Sequence, residues 1–373
     1  MEHIVYLQRR QAVSYQDNIR MVTPYVPGEQ PNQLHMIKLN TNECPYPPSK
    51  GVQELLGSQD ASKLRLYPDP TSESLVQAIA QSYKVSPKQV FVGVGSDEVL
   101  ALAFLTFYNG KKPILFPDIT YSFYDVWAQL YRIPYTTVPL EEDFTIHGEA
   151  YIESGQRREN GGIIFPNPNA PTGVLESLDT IEGIVAANQD VVVIVDEAYI
   201  DFGGRSALPL IEKYHNLLVV QTCSKSRALA GMRIGYAFGH ETLIQYLLDV
   251  KYSFNSYTLN QTSLQGGPAV FQDDVYFREI TGKIMATRER VAKQLGELGF
   301  TFPKSYGNFI FATHPRYQAK ELYEALRREH IYVRYFNKER IDNYLRITIG
   351  TDEEMDVFIG FLEEYIKGGN KND

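Results

Sequence analysis

The chain has 373 residues, 43% of them hydrophobic, enough for a large core and for two domains. Its formal net charge of −9 argues against nucleic acid as the main partner. No apolar run is long enough to span a membrane and no charged-then-apolar leader opens the chain, so no membrane contact and a cytoplasmic setting are expected. Met1 to about Asn18 is polar and reads as an N-terminal helical arm. Val22 to Gly28 is marked by proline and glycine, and an ordered segment begins at Met36 to Leu39. From about Gly51 to Phe254, strand-like runs alternate with helical stretches. Gln89 to Val92 leads through a glycine turn into a helix-like Glu98 to Phe107. Pro113 to Phe116, Gly162 to Phe165, Val191 to Val195 and Leu217 to Gln221 are the clearest strands. That rhythm predicts an α/β architecture, a mostly parallel sheet covered by helices. Phe277, Ile280, Ile284, Val291, Leu295 and Leu298 recur at helical spacing and predict a long helix into a second domain. It continues as strand Phe309 to Ala312, helix Ala319 to Glu329, strands Ile331 to Val333 and Leu345 to Ile349, and a helix after Thr351. The expected division is 1–50 for the arm and part of a small domain, 51–270 for a large domain, and 271–373 for the rest of the small one.

Four motifs follow the C-terminal ends of predicted strands, the edge where open α/β sheets bind ligands. Gly93-Val94-Gly95-Ser96-Asp97-Glu98 opens a helix, whose N–H groups and positive dipole end suit an anion. Gly95, Ser96 and Asp97 are the candidates to hold it. A dinucleotide turn is ruled out, because Glu98 stands where G-x-G-x-x-G needs its third glycine. Asn167-Pro168-Asn169-Ala170-Pro171-Thr172-Gly173 is, by itself, ordinary turn chemistry. Asp196-Glu197-Ala198-Tyr199 ends the apolar run from Val191; alone, its acid would cap the next element. Thr222-Cys223-Ser224-Lys225 precedes Gly231-Met232-Arg233-Ile234-Gly235. A lysine amine forms a Schiff base with an aldehyde. Two hydroxyls and an arginine fork suit a phosphate monoester. An aldehyde carrying a phosphate describes pyridoxal phosphate (PLP), although a lone Lys225 would also fit an exposed surface turn. Cys44 and Cys223 are too far apart in sequence to imply a disulfide framework. The seven histidines lack metal-ligand spacing, so no metal is expected.

Together these motifs resemble the class I and II aminotransferases, from about Ile19 to Gly350. The resemblance implies the type I fold of PLP enzymes, with 51–270 as the PLP-binding domain. It implies that Lys225 carries the cofactor and moves a proton, and that Asp196 keeps the ring nitrogen protonated, as an electron sink requires. Tyr199 would reach the phenolic oxygen. So would Asn169, because Ala170 replaces the asparagine usual before Pro171. Tyr121 would stack on the ring, while Gly95, Ser96, Asp97, Thr222, Ser224 and Arg233 would hold the phosphate.

Four further segments resemble histidinol-phosphate aminotransferase: Val22–Gly28, Leu39–Tyr46 (departing at Cys44), Tyr67-Pro68-Asp69-Pro70, and Val333-Arg334 with Leu345–Thr351. They imply a homodimer in which Tyr67 reaches the partner subunit's cofactor phosphate. Arg346 becomes the main substrate-anion residue, with Arg334 and Tyr25 assisting at a phosphate. Without the resemblance, the two arginines would read as surface ion pairs. The implied substrates are histidinol phosphate and 2-oxoglutarate. Val250–Tyr257 matches poorly, and Tyr252 and Tyr257 could reshape the pocket. An aromatic-amino-acid aminotransferase therefore stays open, as does a threonine-phosphate decarboxylase. A PLP-binding regulatory domain is disfavoured, because no DNA-binding extension is seen.

Overall fold

A computed structural model describes residues 15–33 and 35–369, so most of the expected arm (Met1 to about Asn18) lies outside the described residues. In chain order the strands are β1 (Ile37–Lys38), β2 (Val90–Val94), β3 (Ile114–Pro117), β4 (Tyr135–Val138), β5 (Ile163–Pro166), β6 (Val193–Asp196), β7 (Leu217–Thr222), β8 (Ile234–Gly239), β9 (Phe309–Ala312), β10 (Ile331–Tyr332), β11 (Arg334–Tyr335) and β12 (Leu345–Thr348). Seven form one sheet in the order β2-β8-β7-β6-β5-β3-β4. Only β8 runs against its neighbours. The other pairings are parallel.

Alternation along the strands divides the core into two layers. Val193 and Val195 join Leu217, Val219 and Phe238 on one face. Ile194 joins Leu218, Val220 and Ala237 on the other. Both faces are covered, which is why these strands read as unbroken apolar runs.

A three-stranded antiparallel sheet, β11-β12-β9, and the parallel pair β1-β10 make up the second body. The predicted long helix spans Asp274–Glu297. Its Ile284, Val291 and Leu295 pack with Phe309, Ile310, Leu345 and Ile347, and Leu39 joins them from the N-terminal segment.

The expected strand Ile331 to Val333 is instead two short strands serving different sheets: β10 pairs with β1, and β11 with β12. The first glycine-turn helix starts at Gly95 rather than Glu98. β8 escaped notice because its glycines read as a turn. Gly235 is needed there for proximity, since a Cβ would sit 2.1 Å from the Gly95 carbonyl carbon and 2.2 Å from Ser96 N.

Candidate active site

A cleft with room for about 110 Å³ opens at the C-terminal ends of β2, β6 and β7. Nine of the expected residues line it: Ser96, Asp97, Tyr121, Asp196, Tyr199, Thr222, Ser224, Lys225 and Arg233. Asp196 ends β6 and is buried. Burial pushes its carboxyl up to about 6, even though the Tyr124 hydroxyl (3.0 Å) and the Ala198 N–H (3.2 Å) donate to its oxygens. A desolvated carboxylate that makes no ion pair among the described residues fits a protonated ring nitrogen. The Lys225 amine donates to the Thr41 carbonyl at 3.1 Å and lies 5.7 Å from the centre of the Tyr199 ring.

Ser96, Asp97, Thr222, Ser224 and Arg233, expected at a phosphate, lie in the same cleft. Gly95 opens the helix Gly95–Phe107 with φ +76°, and a Cβ there would lie 2.5 Å from Arg233 Nη2. The first N–H groups of a helix have no partners within it. The Thr222 and Ser224 hydroxyls are hydrogen-bonded at 3.0 Å. Arg233 reaches Asp97 at 3.1 Å, and Tyr121 donates to the same carboxylate at 2.8 Å. Amine, carboxylate and phosphate-binding wall occupy one cleft, so the donor set fits PLP.

Beside the cleft, Arg334 and Arg346 face each other across β11 and β12. Arg346 donates to the Asn40 carbonyl at 3.0 Å, while its Nε is buried without a partner. Burial holds its guanidinium below the usual range, and Tyr199, Arg334, Tyr25 and Tyr121 are its electrostatic neighbours. Among the described residues Arg334 donates a hydrogen bond only to the Val26 carbonyl, at 3.4 Å. Both guanidiniums sit 5.6 Å from the Phe336 ring. Among the described residues neither arginine makes an ion pair, which removes the surface-ion-pair reading. Like charges on opposed strands repel unless an anion joins them. Tyr25 stacks on Phe123 at 4.1 Å near this group.

Three placements depart from expectation. Asn169 does not line the cleft, because its amide donates to the Ile119 carbonyl and the Thr172 hydroxyl; the Ala170 methyl faces the cleft instead. Tyr252 and Tyr257 lie outside their own chain's cleft, where Tyr257 stacks on the exposed Tyr67 at 4.6 Å. Sequence reasoning also missed Thr41, Asn42 and Tyr124. Tyr124 opens a helix (Tyr124–Tyr131) three residues after Tyr121; its N–H donates to the Tyr121 carbonyl at 3.2 Å and the two rings meet edge to face at 5.9 Å.

The family of class I and II aminotransferases matches residues 35–362. The histidinol-phosphate aminotransferase of Lactococcus lactis subsp. cremoris is 50% identical over 360 residues, covering 96% of this chain and 100% of that protein. Histidinol-phosphate aminotransferase 1 of Hydrogenovibrio crunogenus is 54% identical over 352 residues, 94% of this chain and 98% of that one. The crystal structure of the Sinorhizobium meliloti histidinol-phosphate aminotransferase, in complex with pyridoxal-5'-phosphate, shares the fold. Its TM-score is 0.82 at 24% identity, covering 89% of this chain and 91% of that one. The chain belongs to the class I and II aminotransferases.

Proposed function

We propose that this aminotransferase uses PLP to exchange an amino group between histidinol phosphate and 2-oxoglutarate, a step of histidine biosynthesis. The observation that carries the reading is the Arg334–Arg346 pair, two opposed guanidiniums without a carboxylate partner among the described residues, one of them with a buried, unfilled N–H. Such a pair can take a phosphate ester in one half-reaction and a carboxylate in the other. Relatives of that name, about half identical over nearly the whole chain, support this choice over an aromatic substrate or a lyase.

Lys225, Asp196 and Tyr199 would meet the cofactor's aldehyde carbon, ring nitrogen and phenolic oxygen. Tyr121 would lie against its ring. Gly95, Ser96, Asp97, Thr222, Ser224 and Arg233 would surround its phosphate. When bound, the cofactor supplies an electron sink for the carbanion left as the substrate loses its proton. The Lys225 amine takes that proton as base and later gives it up as acid. Asp196 holds countercharge at the ring nitrogen. Arg346 and Arg334 fix the anionic end, so the reacting carbon is held toward Lys225.

The proposal extends to assembly, layout and location. Tyr67 is 82% exposed and stacked on Tyr257, amid exposed Leu64, Leu66 and Phe254. A second copy in a homodimer would cover this patch and receive Tyr67 at its own cofactor phosphate. Residues 51–270 would carry PLP, with 1–50 and 271–373 forming the small domain. The unpaired Cys44 and Cys223 suit the cytoplasm.

The test is kcat/KM for histidinol phosphate, histidinol, phenylalanine and tyrosine, each with 2-oxoglutarate. Histidinol phosphate should exceed histidinol by at least about tenfold, the worth of one charge-assisted contact. Preference for phenylalanine or tyrosine would reject this substrate. Release of carbon dioxide from threonine phosphate would make the chain a lyase.

A further inference from the structure

Tyr199 presents its phenol to the cleft. Among the described residues its hydroxyl oxygen has one partner, Asn42 Nδ2 at 3.0 Å, which donates to it. The hydroxyl therefore keeps its own proton to give, and no described residue accepts it. Asn42 is fully buried and left-handed, with φ +56°, a backbone state that asparagine, aspartate and glycine adopt most readily. Each of its polar groups is engaged. Its N–H donates to Thr348 Oγ1 at 3.0 Å, Thr348 Oγ1 donates to its Oδ1 at 2.9 Å, and Asn308 Nδ2 donates to its carbonyl at 3.0 Å. In this arrangement Thr348 Oγ1 accepts the backbone N–H and spends its single proton on Oδ1, while Nδ2 faces Tyr199. Thr348 ends β12, the strand that carries Arg346, and Asn308 immediately precedes β9.

We propose that Asn42 is a positioning residue for the reaction. By donating to Tyr199 it turns the phenolic proton into the cleft, toward the oxygen a bound cofactor presents, and it ties that phenol to the sheet carrying Arg346. The same loop holds two other working groups, since Thr41 accepts from Lys225 and Asn40 from Arg346. This inference rests on reading the cleft as a PLP site, but not on the identity of the substrate.

Asn42→Asp tests it. Aspartate keeps the size and tolerates the backbone, yet it only accepts. Tyr199 would then donate to it, and the proton would leave the cleft. The first measurement needs no cofactor: protein labelled with ¹³Cζ-tyrosine, with the Tyr199 resonance assigned by its loss in Tyr199→Phe. That resonance should move in Asn42→Asp, and an unmoved resonance overturns the proposal even if PLP never binds.

The second measurement is the pH midpoint of the visible absorbance in PLP-loaded protein. Losing a hydrogen bond to a charged oxygen should raise it by about one to two pH units in Asn42→Asp. Asn42→Gly removes the donor without adding a competing acceptor, so its shift should be smaller; the reverse order overturns the proposal. In a Tyr199→Phe background neither substitution should add anything. A merely structural asparagine would produce the same shift with or without the Tyr199 hydroxyl, which also overturns it. Should Asn42→Asp fail to fold, Asn42→Gly supports the same cycle with Tyr199→Phe.

Discussion

At the end of the cleft built by the large sheet, charged side chains already have internal partners. Arg233 meets Asp97, Tyr121 donates to that same acid, and Asp196 accepts from Tyr124 and Ala198. Beside it, on the small sheet, two arginines oppose each other with only backbone carbonyls as acceptors among the described residues. The first end is organised before anything binds, as suits a resident cofactor held through many turnovers. The second carries uncompensated positive charge, as suits anions that arrive and leave. The Arg233–Asp97 pair is half-exposed, so it is worth little and can give way to a phosphate.

The largest test of this contrast is Lys225→Ala. It should abolish both half-reactions, by at least about 10⁴-fold, because nucleophile and proton carrier vanish together. The visible absorbance of the lysine-bound cofactor should vanish with it. Substantial turnover in that variant would dissolve the cofactor end. Arg346→Ala should come next. One charge-assisted contact is worth about 1.5–3 kcal/mol, or about ten- to a hundredfold in kcat/KM. The loss should strike glutamate and the phosphorylated amine alike, since in the proposed reading both would use that anion site. Arg334→Ala should cost less and fall mainly on the phosphorylated amine. Equal losses on both substrates would mean that the two arginines act as a single unit.

The cofactor end was far more legible in the sequence than the anion end, for a physical reason. Its groups sit at strand ends or just after them, so Asp196, Lys225 and the Gly95 turn announce themselves by local pattern. Arg334 and Arg346 are adjacent only through strand pairing across a loop, and single-sequence spacing carries no such register. The resemblance to known enzymes, not periodicity, singled them out. Asn42 was hidden for the same reason, because its partners Tyr199 and Thr348 are 157 and 306 residues away. Asn169 misled because the motif gives residue order but not side-chain direction. In the fold, the parallel strands were readable from unbroken apolar runs. β4 was not, since three of its four residues are exposed and their pattern resembles a loop.

A further expected effect is on stability alone, and it separates two neighbouring acids. Asp196 and Glu197 are both buried, and burial pushes their carboxyls up to about 6 and about 7. Asp196 lines the cleft. Glu197 does not, and it accepts from the Ser206 hydroxyl, the Ala207 N–H and the Gln221 amide. Each folded-state value lies above the ordinary 3.8 or 4.5. The folded chain therefore binds more protons than the unfolded chain between those limits. The stability these groups contribute is fully present below the unfolded values and is lost as pH rises through about 6 for Asp196 and about 7 for Glu197. Cofactor-free protein should thus weaken between about pH 4 and pH 8, by on the order of 3 kcal/mol per group at most. PLP should distinguish the two acids. A protonated ring nitrogen gives Asp196 a countercharge and removes its share of the slope, while Glu197 keeps its own. Asp196→Asn in cofactor-free protein should remove the same share. Urea unfolding across that pH range, for the cofactor-free, loaded and Asp196→Asn proteins, makes the measurement. A loaded protein whose slope matches the cofactor-free one would mean that Asp196 does not meet the ring nitrogen.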